Sequence, residues 1–191
     1  MKELTIIGNK HGTDKAIPEH NFTEFYDEEF NLITDNIQTV LEIGIAYGSS
    51  LRMWQEYFPN AMIHGIDIDP KTMINENRII SHNLNEIDFQ TFDEVFKNTK
   101  FDIIIDDGSH IISHQKAMFL HYIKYLTPNG YYILEDLHTS FMNGYIDDDI
   151  TTYEFLKSID KEKYDILDLK FFHNMDKVNN VDCITCIIKM K

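Results

Sequence analysis

The run Phe101-Asp-Ile-Ile-Ile-Asp-Asp107 constrains this chain more than any other segment, because its apolar residues follow one another without alternation. A strand that is apolar on both sides must be covered on both sides, which is the situation of a central strand in a parallel sheet. The surrounding sequence supplies the rest of such a sheet. Residues 39–43 are a short apolar strand entering a turn from Gly44 to Gly48, and residues 49–58 read as a helix stopped by Pro59-Asn60. Residues 61–68 form the next strand. The spacing then predicts a helix over 70–82, a weak strand over 87–91 and a helical turn over 93–98. After the central strand come a helix over 113–126, ended by Pro128-Asn-Gly130, and a strand over 131–135. Near the end lie an acidic loop at 147–149, a helix near 153–159, and strands over 166–172 and 183–189. The polar loop 174–182 between those strands is short enough to make them an antiparallel pair at the sheet edge. Ahead of the first strand, Phe22, Phe25, Tyr26, Phe30 and Ile33 recur at helical intervals, so residues 1–36 read as a loop followed by a helix.

Strand and helix in alternation imply right-handed crossovers. The expected fold is therefore α/β, a doubly wound (Rossmann-like), mostly parallel seven-stranded sheet with helices on both faces and an antiparallel C-terminal strand pair. A chain of 191 residues holds one such domain, and 43% hydrophobic with 13% aromatic residues gives it a core. Acidic residues outnumber basic ones 32 to 17, for a formal charge of -15, and that field repels polyphosphate, so nucleic acid is not expected as a partner. No apolar run approaches the ~20 residues that cross a bilayer, and Met1-Lys2-Glu3 does not begin a signal peptide, so the expectation is a cytoplasmic protein without membrane insertion. Cys183 and Cys186 are three apart in a strand and should face opposite sides, which suits neither a disulfide nor a zinc site.

Ligands of open α/β sheets bind beyond the carboxyl ends of the strands, which directs attention to the turn Glu42-Ile-Gly44-Ile-Ala-Tyr47-Gly48-Ser49. A dinucleotide fingerprint would need glycines where Ala46 and Ser49 stand. The E-x-G-x-x-x-G pattern instead resembles motif I of class I S-adenosylmethionine (SAM) dependent methyltransferases, in which carboxylates serve ammonium and hydroxyl groups. Asp67, at the end of the second strand, stands where an acid can bind ribose hydroxyls.

Two further acidic clusters end adjacent strands: Asp106-Asp107-Gly108-Ser109-His110 and Glu135-Asp136-Leu-His138. Each acid taken singly also suits a helix cap. Taken together, four carboxylates at one rim repel unless a cation intervenes, and a hard divalent ion such as Mg2+ prefers such oxygen ligands. His110, three residues after Asp107, can share the rim and act as general base. His110 and His114 have zinc-like spacing, but no Glu stands at position 111, so His114 reads as packing.

These motifs, with Leu-Thr-Pro-Asn-Gly at 126–130 and His-Gly-Thr-Asp-Lys at 11–15, resemble the macrocin-type (cephalosporin-hydroxylase-like) sugar O-methyltransferases over residues 11–140. The resemblance implies a Mg2+ site of Asp107, Glu135 and Asp136, with His110 deprotonating a sugar hydroxyl. It further implies that Glu42, Gly44, Tyr47, Gly48, Ser49, Asp67, Gln90 and Asp106 surround SAM while residues 12–15, with Thr13 and Lys15, close over it. The acceptor would be a small molecule or glycan, and similar proteins suggest a homo-oligomer. The sequence lacks the Gly-Asp-Gln that the family often shows near residue 90. Two alternatives stand beside this reading: a non-haem iron hydroxylase using Asp107, His110 and His138, and a SAM-binding module without catalysis.

Overall fold

The computed structural model describes residues 1–176 and 181–191. In chain order the elements are α1 (Glu3–His11), α2 (Thr23–Phe30), β1 (Thr39–Ile43), α3 (Ser49–Tyr57), β2 (Met62–Asp67), β3 (Asn75–Glu76) and β4 (Ile79–Asn83), then α4 (Phe89–Phe96), β5 (Phe101–Asp106), α5 (Ile112–Tyr122), β6 (Leu126–Leu134), α6 (Thr152–Lys157), β7 (Ile166–Asp176) and β8 (Val181–Met190). They form one sheet of order β3-β4-β2-β1-β5-β6-β8-β7. Strands β4, β2, β1, β5 and β6 are parallel, and β8 runs antiparallel to both β6 and β7. The sheet is thus Rossmann-like, with eight strands rather than the seven expected.

The central run behaves as its composition requires. Ile103 and Ile105 of β5 pack into the core under α1, α2 and α3, with Leu4, Tyr26, Phe30, Leu51 and Trp54, whereas Ile104 packs on the other face with Phe92, Phe96, Phe119 and Tyr122. The same alternation separates the two cysteines: both are free and buried, Cys183 in the first cluster and Cys186 in the second.

Three expectations need correction. Residues 70–82 are not a helix: Pro70–Thr72 is a single 3-10 turn, after which the chain forms β3 and β4. The β-branched pair Ile79-Ile80 fits a pleated surface, and β4 pairs with β2 from Ile63↔Ile79 to Asp67↔Asn83. The third parallel strand therefore precedes residues 87–91, which belong to the start of α4. There the Asp88 carboxylate accepts from the Thr91 amide (3.2 Å), an N-cap that fixes the helix start. Finally, α1 occupies what was expected to be loop; it buries Leu4 and Ile7 and ends at Gly12 in the left-handed region (φ 70°). Strands β7 and β8 extend further than expected, and residues 177–180 of the loop between them lie outside the described residues. No helix among the described residues is long and apolar enough to cross a membrane.

Candidate active site

The strand order reverses at β1: the chain passes from β1 to β2 on one side, while β5 joins it on the other. Crevices form at such switch points. Here a cavity of about 590 Å³ opens, lined by Thr13, Asp14, the turn residues Gly44 to Tyr47, Ser49, Ser50, Asp67, Glu86 and Asp107 to Ser109. Small-molecule sites occupy this size range.

The glycines of the turn serve the backbone. Gly44 has φ 90°, and a Cβ there would lie 2.2 Å from the Asp107 carbonyl oxygen, so only glycine lets the β1 turn pass the end of β5. Gly48 has φ 73° and precedes α3, and a Cβ on it would meet Ile74 Cδ1 at 2.6 Å. Asp67 locks the turn from the next strand: its Oδ2 accepts from the Ile45 and Ala46 amides (2.9 and 3.3 Å) and its Oδ1 from the Asp69 amide (2.8 Å). Asp67 thus lines the cavity with both oxygens already engaged by backbone.

Beyond Gly44 lies a buried charge cluster. Glu42 lies in β1, and Asp107 and Glu135 directly follow the neighbouring strands β5 and β6; the ammonium of Lys15 meets all three. Lys15 Nζ donates to Asp107 Oδ2 and to Glu135 Oε2 (2.8 Å) and lies 3.3 Å from Glu42 Oε1. Lys15 is 1% exposed. Burial opposes its charge, but the neighbouring acids outweigh it and hold its pKa well above the ordinary value. Burial pushes Glu42 up to about 7 and Glu135 well above the carboxylate range, with Lys15 pulling both back. Trp54 Nε1 donates to Glu42 Oε2 (3.0 Å), and the Tyr26 hydroxyl donates to Glu135 Oε1 (2.8 Å), while the buried Glu42 Oε1 accepts no hydrogen bond.

At the outer edge of the cluster, Asp107, His110 and Asp136 bring their donor atoms within 4.8 Å of one another. His110 Nε2 lies 3.9 Å from Asp107 Oδ1 and 3.6 Å from Asp136 Oδ2. Both His110 (φ 58°) and Asp136 (φ 54°) have left-handed backbones, a conformation that side-chain-bearing residues adopt at a cost and that clusters at functional sites. His20 reaches in from the N-terminal segment, its Nδ1 3.5 Å from Asp136 Oδ1, yet that oxygen accepts no hydrogen bond.

The sequence-predicted residues therefore divide. Thr13, Gly44, Tyr47, Ser49, Asp67 and Asp107 line the cavity, and Asp107, His110 and Asp136 converge beside it. Glu42, Lys15, Gly48, Asp106 and Gln90 are not among the described residues lining it. Glu42 and Lys15 are internal partners of each other. Asp106 is fully buried because it alternates with Asp107 across β5, and the Tyr132 hydroxyl donates to it at 3.4 Å. Gln90 is exposed on α4, its amide directed to Glu94 (3.3 Å), because residues 89–96 form a helix where a strand was expected. Glu135 sits at the rim with both oxygens taken by Lys15 and Tyr26. His138 belongs to neither close group of metal-ligating side chains among the described residues, and its Nδ1 lies 3.9 Å from Asp136 Oδ1.

Sequence reasoning missed Glu86, which lines the cavity and accepts from the Ser109 amide (3.1 Å), thereby holding the turn that carries His110. Its signal was an acid shortly after a strand end, hidden because that strand had been placed too late. His114, expected as packing, hydrogen-bonds Ser109 Oγ through Nδ1 (2.9 Å) in the same turn.

Fold and site together define an α/β domain with a small-molecule cavity at its topological switch point and a carboxylate-histidine rim beside it. The family model for FtsJ-like methyltransferases matches residues 24–140, and the chain belongs to that family. Among characterised relatives, the 8-demethyl-8-alpha-L-rhamnosyl tetracenomycin-C 2'-O-methyltransferase of Streptomyces olivaceus is 36% identical over 82% of this chain and 44% of its own length. The mycinamicin VI 2''-O-methyltransferase of Micromonospora griseorubida is 34% identical over 75% of this chain and 38% of its own. Among solved structures, the MycE methyltransferase of the mycinamycin biosynthetic pathway, in complex with Mg, SAH and mycinamycin VI, matches with a TM-score of 0.85 at 28% identity, over 99% of this chain and 55% of that one. This chain thus spans about half the length of the relatives it matches.

Proposed function

We propose that this chain is the catalytic domain of a cytoplasmic SAM-dependent, divalent-metal-dependent O-methyltransferase that acts on a sugar hydroxyl of a small molecule or glycan, with His110 as general base. The observation that carries the reading is the meeting of Asp107, His110 and Asp136 at the edge of the cavity, with Asp107 belonging to both. The relatives named for sugar O-methylation, and the neighbour solved with Mg and SAH, support it.

The residues present fit both groups. For a hard cation the rim offers carboxylate oxygens, and the buried Asp136 Oδ1 has no hydrogen-bond donor of its own. For a sulfonium nucleoside the cavity offers acidic walls at Asp14, Asp67 and Glu86, which complement a positive ligand. Asp107 and Asp136 would hold the divalent ion, with Glu135 adjoining. When bound, such an ion lowers the pKa of a coordinated hydroxyl and fixes its direction.

The chain's own residues do the rest. Methyl transfer is an in-line displacement, so rate depends on alignment of the nucleophilic oxygen with the methyl carbon. The Gly44 turn, locked by Asp67, and the wall at Thr13 and Asp14 fix the nucleoside side. Glu86 fixes the 108–110 turn through the Ser109 amide, and the left-handed backbone at His110 aims its imidazole at the rim between Asp107 and Asp136. From there it takes the hydroxyl proton. The test is calorimetry with SAM and SAH, followed by transfer of a labelled methyl group to glycosides and sugar nucleotides with and without EDTA. Nucleoside binding and EDTA-sensitive transfer are expected; a protein that binds neither SAM nor SAH overturns the reading.

A further inference from the structure

Lys15 occupies an unusual position for a lysine. Its side chain is almost fully enclosed, and its ammonium meets Asp107, Glu135 and Glu42 at the ends of three adjacent strands. It does not line the cavity, so it does not touch a nucleoside there. Two of its partners, Asp107 and Glu135, are acids that a divalent ion at the rim would draw on. The ammonium already holds one oxygen of each, and Tyr26 holds the second oxygen of Glu135. What stays open is Asp107 Oδ1, facing His110, and the carboxylate of Asp136, whose Oδ1 accepts no hydrogen bond.

Resting on the metal reading above, we infer that Lys15 is a tethered counter-ion of the acid cluster: it holds the carboxylates together when no ion is bound, and it weakens the cluster's grip on a divalent ion by sharing Asp107 and Glu135 with it. The physical basis is Coulombic. An ammonium and a divalent cation that share carboxylates repel each other at short range inside a protein, where that repulsion is weakly screened. Without the ammonium the acids repel one another instead, and the incoming ion has more uncompensated negative charge to neutralise. Lys15 is therefore a positioning residue. Its tether matters as well, because Thr13 and Asp14, two and one residues earlier, line the cavity. The Lys15 amide approaches Thr13 Oγ1 (3.4 Å) and its carbonyl accepts from the Thr23 amide (3.1 Å), so the cavity wall and the counter-ion are seated by one short segment.

The experiment compares wild type with Lys15→Met and Lys15→Gln, using Mn2+ alone as the probe in calorimetry and Mg2+ in thermal melts. Expected are a lower metal-free Tm in both variants, a larger rise of Tm on saturation with Mg2+, and Mn2+ binding tighter by about tenfold or more. A folded variant that binds Mn2+ with unchanged or weaker affinity overturns the inference while leaving the metal reading intact. Wild type that binds neither ion overturns both. Should neither variant fold, wild type labelled with 15N-lysine decides: sub-stoichiometric Mn2+ should broaden the Lys15 ammonium resonance beyond detection, and a resonance that stays sharp at saturation overturns the inference.

Discussion

On the face covered by α1, α2 and α3, the sheet carries Glu42, Glu135 and Thr185 into an interior that also holds Lys15 and the hydroxyl of Tyr26. On the face covered by α4 and α5, the interior is closed by Phe92, Phe96, Phe101, Phe119 and Tyr122. The acid buried on that second face, Asp106, is pushed far above the carboxylate range by burial, and the stacked pair His64 and His82 is held below the ordinary histidine range by the same cause. Burial thus raises carboxylates on both faces, and on the first face Lys15 pulls against that rise. Charges on the first face cost desolvation and are arranged around the rim; apolar burial on both faces offsets such a cost.

The sharpest test of this division is functional. If the proposed base role holds, His110→Ala should lower methyl transfer by about 10²–10⁴ while leaving SAH affinity nearly unchanged in calorimetry. Equal loss of both would remove its base role. The opposite profile is expected for Phe92→Ala, which deletes a fully buried ring packed on Phe96, Tyr122 and Tyr125. Urea unfolding should show a loss of about 3–5 kcal/mol, with SAH affinity retained in the folded fraction. A loss below about 1 kcal/mol would show that this ring does not hold the core under α4 and α5.

Glu42 offers a pH test of the charged face. Its folded pKa, about 7, lies above the ordinary 4.5, so the fold favours the protonated form. The stability this contributes is complete below pH 4.5 and is lost as pH rises through 7. Relative to Glu42→Gln, wild type should therefore lose up to about 3 kcal/mol between pH 4.5 and 8 in denaturant titrations. Parallel pH profiles for the two proteins would contradict it. The pair on the other face has the reverse sign: His64, with a folded pKa of about 4, contributes stability that is lost as pH falls from 6.5 through 4. The smallest effect is expected at Gln90. Exposed on α4, Gln90→Ala should change stability by no more than about 0.5 kcal/mol and leave SAH affinity alone; a tenfold weaker affinity would return this residue to the cofactor site.

Much of the site was legible because strand ends in a parallel sheet leave little freedom. Once 101–106 and 131–134 are neighbouring strands, the acids that follow them must meet, and Asp107 and Asp136 do. Less legible was the division of labour within each doublet. Asp106 and Asp107 are adjacent in sequence but alternate across the sheet, so one is enclosed among aromatics and the other reaches the cavity. The third parallel strand was misread because Ile79-Ile80 carries no periodicity that separates strand from helix, and the reading therefore pointed to Gln90 and passed over Glu86, which lines the cavity.

What the sequence by itself determined is the mostly parallel α/β plan, the covered central strand, the opposite facing of Cys183 and Cys186, and the meeting of acids with His110 at one rim. All of these follow from local periodicity and from the short spacing of paired strands. Tertiary structure alone decided that the Lys15 ammonium meets Glu42, Asp107 and Glu135, that Gly44 passes close to the Asp107 carbonyl just beyond β5, and that His110 and Asp136 hold left-handed backbones. These depend on contacts between segments distant in the chain, where burial and proximity set the energy and no nearby residue records it.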